Sequence, residues 1–350
     1  DSDADHRTHN THARHYLSRV TEERSRLESA AQADARDALR EDVDNIRSAI
    51  LWTVDHNEHM AIVDALESIY IFFLAHSWHE GIELFKEMAE RAAVRTGNAD
   101  YDDELVIAAV QATQAYIIAW LGDLDEALRL AQAAIPVLEA HDATSQLMLA
   151  LTTVGVVEVL QGKHEDGQKT LERAYTITDR DSQPTMYALL CTIYGWSFYE
   201  LGEFERAEEV FADGYRVANE AGTTLARAYT MSKLGLTADA VGDFQKAIDL
   251  HHEGREAFVK LGDPAGEAYT LSRLSWTYWR LGEYEKAREF ALEALDGFEM
   301  INHRWGTLAT LGRLGFAEIG LEELDGAEAH FRRLVAGATE VKMGVMHSYG

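Results

Sequence analysis

The stretch "LGEYEKAREFA" at residues 281–291 decides the fold. The same motif recurs as "LGDLDEALRLA" (121–131), "LGEFERAEEVF" (201–211) and "VGDFQKAIDLH" (241–251), with a weaker copy, "QGKHEDGQKTL", at 161–171. Its glycines are Gly122, Gly162, Gly202, Gly242 and Gly282, each 40 residues after the last. A small-residue column keeps the same period through Ala115, Gly155, Gly195, Gly235, Ser275 and Gly315. So does a third, through Ala127, Gly167, Ala207, Ala247, Ala287 and Ala327. Self-similarity at one fixed period marks an array of stacked units.

Each unit reads as two helices. "AYTLSRLSWTYWRL" (268–281) precedes the turn and "YEKAREFALEALDGF" (284–298) follows it, both with apolar residues at helical spacing. Gly just past the first helix (A) can take the left-handed conformation that ends it. The acidic residue after it is expected to cap the second helix (B) and favour its positive dipole end. The small column of helix A is expected to face the Ala column of helix B, so that the two pack closely. Scarce proline, 3 residues in 350, agrees with helix throughout. The fold class expected is all-α: a right-handed α-solenoid of about eight helical hairpins.

Charge and composition narrow the function. A net charge of −28 disfavours nucleic acid and anionic membrane, because both are bound by neutralising phosphates. The one cysteine, Cys191, excludes an internal disulfide and a cysteine-based zinc site, which fits a cytoplasmic setting. No long apolar run or signal-peptide pattern is present. The chain opens on "DSDADHRTH" without Met, so we expect a piece of a longer protein.

The small residue in helix A, the Gly-x-aromatic turn and the Ala in helix B resemble the tetratricopeptide repeat (TPR). The resemblance covers residues 103–342 as six repeats, although the period exceeds the usual figure of about 34 residues. Glu322 stands where the last copy should have Gly. Upstream, "AHSWHEGIELFKEMAERA" (75–92) fits the same frame, with Trp78 at the aromatic place and Gly81 at the Ala place. Residues 57–102 are therefore expected to be a degenerate hairpin with an insertion in "RTGNADYDDE" (95–104). Residues 1–56 would form N-terminal linking or capping helices, pairing 12–29 with 33–54, and 343–350 a tail.

The N-terminal region resembles a second pattern. "HARHYLSRVTEERSRL" (12–27) followed by "REDVDNIRSAILWTVDH" (40–56) is similar to the helical link of STAND signal-transduction ATPases, which joins an ATPase core to a TPR sensor. His12, Ala13, Tyr16, Leu17, Asp44, Asn45, Ile46, Arg47, Ala49 and Trp52 carry the likeness. It implies a nucleotide-binding domain upstream in the parent chain, and an inter-domain coupling role for Asp44, Asn45, Arg47 and Trp52. The plainer reading is a capping helix, with Val43, Ile46, Ile50 and Val54 as its apolar stripe and Trp52 as core.

No catalytic motif stands out, and no cofactor or metal is expected. Gly162-Lys163 is no phosphate loop, because Val157 and His164 occupy the positions that need Gly and Ser or Thr. The His-Glu pairs at 79–80, 164–165 and 252–253 lack the second His of a zinc protease and are expected at the surface. His6, His9, His12 and His15, three apart, could gather imidazoles, but a frayed terminus is the preferred reading.

Ligand binding is the function expected. The groove-facing positions of tetratricopeptide arrays, carried onto this register, are Tyr116, Trp120, Trp196, Tyr199, Tyr229, Tyr269, Trp276, Trp279, Arg280 and Phe316. Rigid aromatics with an Arg suit a protein, a peptide or a small-molecule stimulus. The same aromatics could instead fill contacts between successive A helices. Trp279 and Arg280, beside the turn of the best-kept repeat, are the preferred pair. A sensor relaying its stimulus to an attached ATPase, and a stand-alone adaptor holding partner peptides, both fit.

Overall fold

The computed structural model describes residues 2–340 apart from 30, 57–58, 77 and 96–100. The expected tail at 343–350 lies outside the described residues, as does half of the expected insertion. The described residues form helices α1 (Ser2–Leu27), α2 (Gln32–Arg40), α3 (Val43–Asp55), α4 (His59–His76), α5 (Trp78–Arg95), α6 (Tyr101–Leu121), α7 (Leu124–Ala140), α8 (Thr144–Leu160) and α9 (His164–Ile177). They continue with α10 (Pro184–Glu200), α11 (Phe204–Ala221), α12 (Thr224–Ala240), α13 (Phe244–Leu261), α14 (Pro264–Arg280), α15 (Tyr284–Met300), α16 (Arg304–Gly320) and α17 (Leu324–Glu340). Two compact units result: residues 1–118 with 125–154, and residues 119–124 with 155–350.

In the first unit, α1 packs against α3 and α4, and α3 against α5. The expected single helix over 33–54 is instead broken at Glu41–Asp42 into α2 and α3. Arg19 holds the break, donating to the Ala38 carbonyl at 3.3 Å and pairing with Asp42 at 3.0 Å. The break lets Ala35 and Leu39 of α2 share a core with Ile46, Ile50 and Val54 of α3, all of them buried. Nor is the N-terminus frayed in the described residues. Helix α1 begins at Ser2, with His9 stacked on Trp52 at 4.6 Å.

In the second unit, helices A (α10, α12, α14, α16) alternate with helices B (α11, α13, α15, α17), and each A helix touches the next. Helices, rather than loops, absorb the long period: α12 has 17 residues and α13 has 18. Gly162, Gly202, Gly242 and Gly282 all take the left-handed conformation, at φ +77 to +87. At the Gly202 turn, the Glu203 amide reaches back to the Phe198 carbonyl at 3.0 Å, which closes helix A. Glu322 adopts the same conformation at φ +62, a strain of about 1 kcal/mol for a residue with Cβ. A second left-handed column, Gly222, Gly262 and Asn302, turns B back into the next A.

One expectation about the turn needs correction. The acidic residue caps helix B at Asp243, which accepts from the Lys246 amide, but Glu203 and Glu283 make no such bond. A glutamate is one methylene too long for the close capping geometry that aspartate adopts. Asp263 and His303 cap A helices instead.

The small column has a further role. Gly167 lies against the Gly155 carbonyl as expected, and the glycines of the column also make room for a bulky side chain farther along helix B. A Cβ on Gly155, Gly195, Gly235 or Gly315 would strike Leu171, Phe211, His251 or Phe331, at 2.4–2.7 Å. Where the column carries Ala115 or Ser275, the residue sixteen on is Ala131 or Ala291. Size is exchanged across the hairpin: a notch takes a ring, and a filled notch takes a methyl.

His251 makes that exchange sensitive to pH. Burial, with the Arg273 charge behind it, holds its imidazole down to about 3, so the ring is neutral in the fold. The unfolded chain takes up that proton below the ordinary value of 6.5, so stability is lost as pH falls from about 6.5 towards 3. The variant His251→Leu copies Leu171 and should flatten most of this slope in denaturant melts. His303, held to about 4 by burial, would keep a residual slope. An unchanged slope would acquit His251.

Candidate functional site

The inner face of helices A in the second unit carries charge as well as aromatics. Lys233 of α12, Arg273 of α14 and Arg313 of α16 occupy one repeat position, two residues before Gly235, Ser275 and Gly315. Arg273 and Arg313 are each 8% exposed, a burial that guanidinium groups seldom reach. Lys233 Nζ donates to the Tyr269 hydroxyl oxygen at 2.7 Å, and Arg273 donates to the same oxygen at 3.0 Å. Arg313 donates to Ser272 Oγ at 2.7 Å, and Ser272 also pairs with Thr310 at 2.9 Å.

The carboxylates nearby are each engaged through one oxygen. Asp239, 2% exposed, pairs with Arg280 at 2.9 Å. Glu200 accepts from Trp196 Nε1 at 2.8 Å, and burial raises its carboxyl above the usual range, which weakens it as a counter-charge. Three cations therefore gather on one face of a chain whose net charge is −28. For Tyr269, burial alone would raise the phenol, but the Arg273 and Lys233 charges outweigh it and bring it down to about 7.

Three tryptophans cluster in the same unit, and one of them, Trp196, bonds to Glu200 beside the cations. Trp120 at the end of α6 and Trp196 of α10 each stand edge-on to Trp305 of α16, at 6.4 and 6.3 Å. His303 lies 6.3 Å from Trp120. Trp196 is buried, while Trp120 and Trp305 are half-buried.

The residues expected to line the groove are divided among several tasks. Tyr199 and Tyr269 sit with the cations, and Trp120 and Trp196 with Trp305. Trp276, Trp279 and Phe316 pack on one another between α14 and α16, and Trp279 Nε1 donates to the Phe316 carbonyl at 3.1 Å. Trp279 thus links two A helices, so its truncation should reach stability as well as binding. Arg280 is committed to Asp239. Tyr229 donates to Asp263, the cap of α14, at 2.8 Å. Tyr116 meets Tyr70 edge-on in the first unit.

In the N-terminal link, Asp44 and Asn45 are exposed. Arg47 pairs with Glu87 at 2.6 Å, and Trp52 stacks between His9 and His56. Of the His-Glu pairs, His164 and His252 are half-buried and Glu165 and Glu253 exposed, while the His79 side chain lies outside the described residues. No group of His, Cys, Asp and Glu suited to a metal occurs among the described residues, and no described helix is long and apolar enough to cross a membrane.

Sequence reasoning missed Lys233, Arg273, Arg313, Glu200 and Trp305. The cations were detectable, since they keep the 40-residue period beside the glycine column.

Comparison with known proteins agrees with the fold. Residues 224–300 match the tetratricopeptide repeat family model. The crystal structure of a Rap protein complexed with Competence and Sporulation Factor aligns with a TM-score of 0.64 at 14% identity, over 94% of this chain and 99% of that one. The fold is a tetratricopeptide-repeat superhelix. The array also resembles NprR in complex with its cognate peptide NprX, with a TM-score of 0.55 at 16% identity, over 74% of this chain and 76% of that one. A STAND protein with a tetratricopeptide repeat sensor from Pyrococcus horikoshii aligns with a TM-score of 0.51 at 12% identity, over 91% of this chain but 53% of that one. None of the curated proteins matches the chain. At these identities the likeness is one of fold.

Proposed function

We propose that this tetratricopeptide array is the recognition part of a regulator. It takes a peptide or protein segment carrying a carboxylate beside an apolar or aromatic side chain. The carboxylate meets the Lys233, Arg273 and Arg313 column, and the apolar side chain meets Trp120, Trp196 and Trp305. The observation that carries this reading is the cationic column, repeated on three successive A helices inside an acidic protein. Beyond a screening length of about 8 Å the ligand feels little of the outer negative charge, so local complementarity decides binding.

Two settings use the same groove. In a STAND-type sensor, the bound segment favours one superhelical form and biases an attached upstream nucleotide-binding domain. Only a ligand with different affinities for the two forms can do this. The link motif supports this setting, with Asp44 and Asn45 exposed for a contact. The likeness to NprR, a protein crystallised with a peptide, equally supports a stand-alone peptide-binding adaptor. In both settings the role is cytoplasmic binding rather than catalysis.

Selection of a random peptide library on the immobilised chain tests the reading. Enrichment of Asp or Glu next to Trp, Phe or Leu is expected. Enrichment of basic peptides, or of sequences that bind an Arg273→Gln, Arg313→Gln variant equally well, would contradict it.

A further inference from the structure

The Tyr269 hydroxyl oxygen receives two charged donors, Lys233 Nζ at 2.7 Å and Arg273 at 3.0 Å. Both cations also lie by its ring, 4.7 and 5.0 Å from the centroid. An oxygen held this way occupies the place of an anion. The other charged or titratable groups around it are Tyr199 and Glu200 of α10, Asp239 of α12, Arg313 of α16, His251 of α13 behind Arg273, and His164 of α9 by Glu200. Asp239 is engaged by Arg280, and Glu200 by Trp196. The acceptor that Lys233 and Arg273 both reach is the phenol of their own site.

We propose that the Tyr269 oxygen is a placeholder for a ligand carboxylate, and that a carboxylate bound among Lys233, Arg273 and Arg313 displaces it while Tyr269 takes up one proton. The identity of the ligand as a peptide rests on the function proposed above; the exchange itself does not. The balance is simple. The carboxylate accepts the two hydrogen bonds, and the phenolate oxygen gains a proton from solvent to become a neutral hydroxyl. Lys233 and Arg273 stay charged, and no other bond changes.

The exchange has a signed consequence. In the free protein Tyr269 ionises at about 7. Above that pH every binding event must protonate it, so affinity falls about tenfold per pH unit. Ordinary carboxylates are fully ionised throughout this range and add no slope. Tyr269→Phe removes the competing phenolate, so at about pH 8 it should bind about tenfold more tightly than the wild type. A tyrosine that served only as a ligand contact would weaken binding when truncated.

The test uses two probes, succinate and a blocked Glu-Trp dipeptide, against the whole chain. Phenolate absorbance, taken as wild type minus Tyr269→Phe, is followed at about pH 8 while calorimetry records binding. Loss of the phenolate signal on saturation, with tighter binding by Tyr269→Phe, is the expected result. Ring-labelled tyrosine in the wild type reports the same ionisation by NMR if that variant does not fold. A probe that saturates the protein with the phenolate unmoved would overturn the exchange and leave the peptide reading intact. A phenolate quenched by succinate but not by the peptide would keep the exchange and sink the peptide reading. Failure of both probes to bind would overturn both.

Discussion

Replacing Phe211 with alanine is expected to remove about 4 kcal/mol of stability. The ring is fully buried and fills the notch over Gly195, where an added Cβ would come within 2.4 Å of it. Gly195→Ala alone should cost about 2 kcal/mol, because overpacking outweighs the helix propensity gained. Combined, the two changes should cost less than their sum by about 1–2 kcal/mol, since the new methyl enters the space the ring vacated. The chain already holds this arrangement at Ser275 and Ala291. Urea melts of the four proteins measure the coupling. Strict additivity would mean that the two positions do not share that space, and the size exchange across the hairpins would be wrong.

The second large effect is on binding. Arg273→Gln should weaken a carboxylate-bearing peptide by about 100-fold, or about 3 kcal/mol, because a buried charge loses its partner at the centre of the site. Lys233→Gln should cost less, since burial already lowers its ammonium below the ordinary value and the side chain is half-buried. Arg280→Gln should behave in the opposite way. It strands Asp239, 2% exposed, and should cost about 2 kcal/mol of stability with little change in affinity. Calorimetric titration beside thermal melts separates the two arginines. If Arg280→Gln abolished binding and Arg273→Gln did not, the site would lie at the turn end of the A helices.

The hairpins were legible in the sequence because their signals are local. A glycine that must turn left-handed, a small residue under a ring and an apolar stripe all act within one unit. The break at Glu41–Asp42 was not legible, because its cause is Arg19, which reaches Ala38 and Asp42 from another helix. The site was legible in part. Tyr199, Tyr269, Trp120 and Trp196 were named, yet the charges that give Tyr269 its character were overlooked. The positions carried from the family stressed aromatics, whereas the cationic column stood in the same register. Arg280 looked like a ligand group because its partner, Asp239, lies 41 residues earlier and meets it only when α12 and α14 pack side by side.

The most direct test of the account is photo-crosslinking with a Glu-Trp peptide carrying a photoreactive group beside its carboxylate, followed by peptide mapping. Labelling on α12, α14 and α16, around Lys233, Arg273 and Arg313 and suppressed by Arg273→Gln, is the expected result. Labelling confined to the B helices α11, α13 and α15, or unaffected by that substitution, would contradict it.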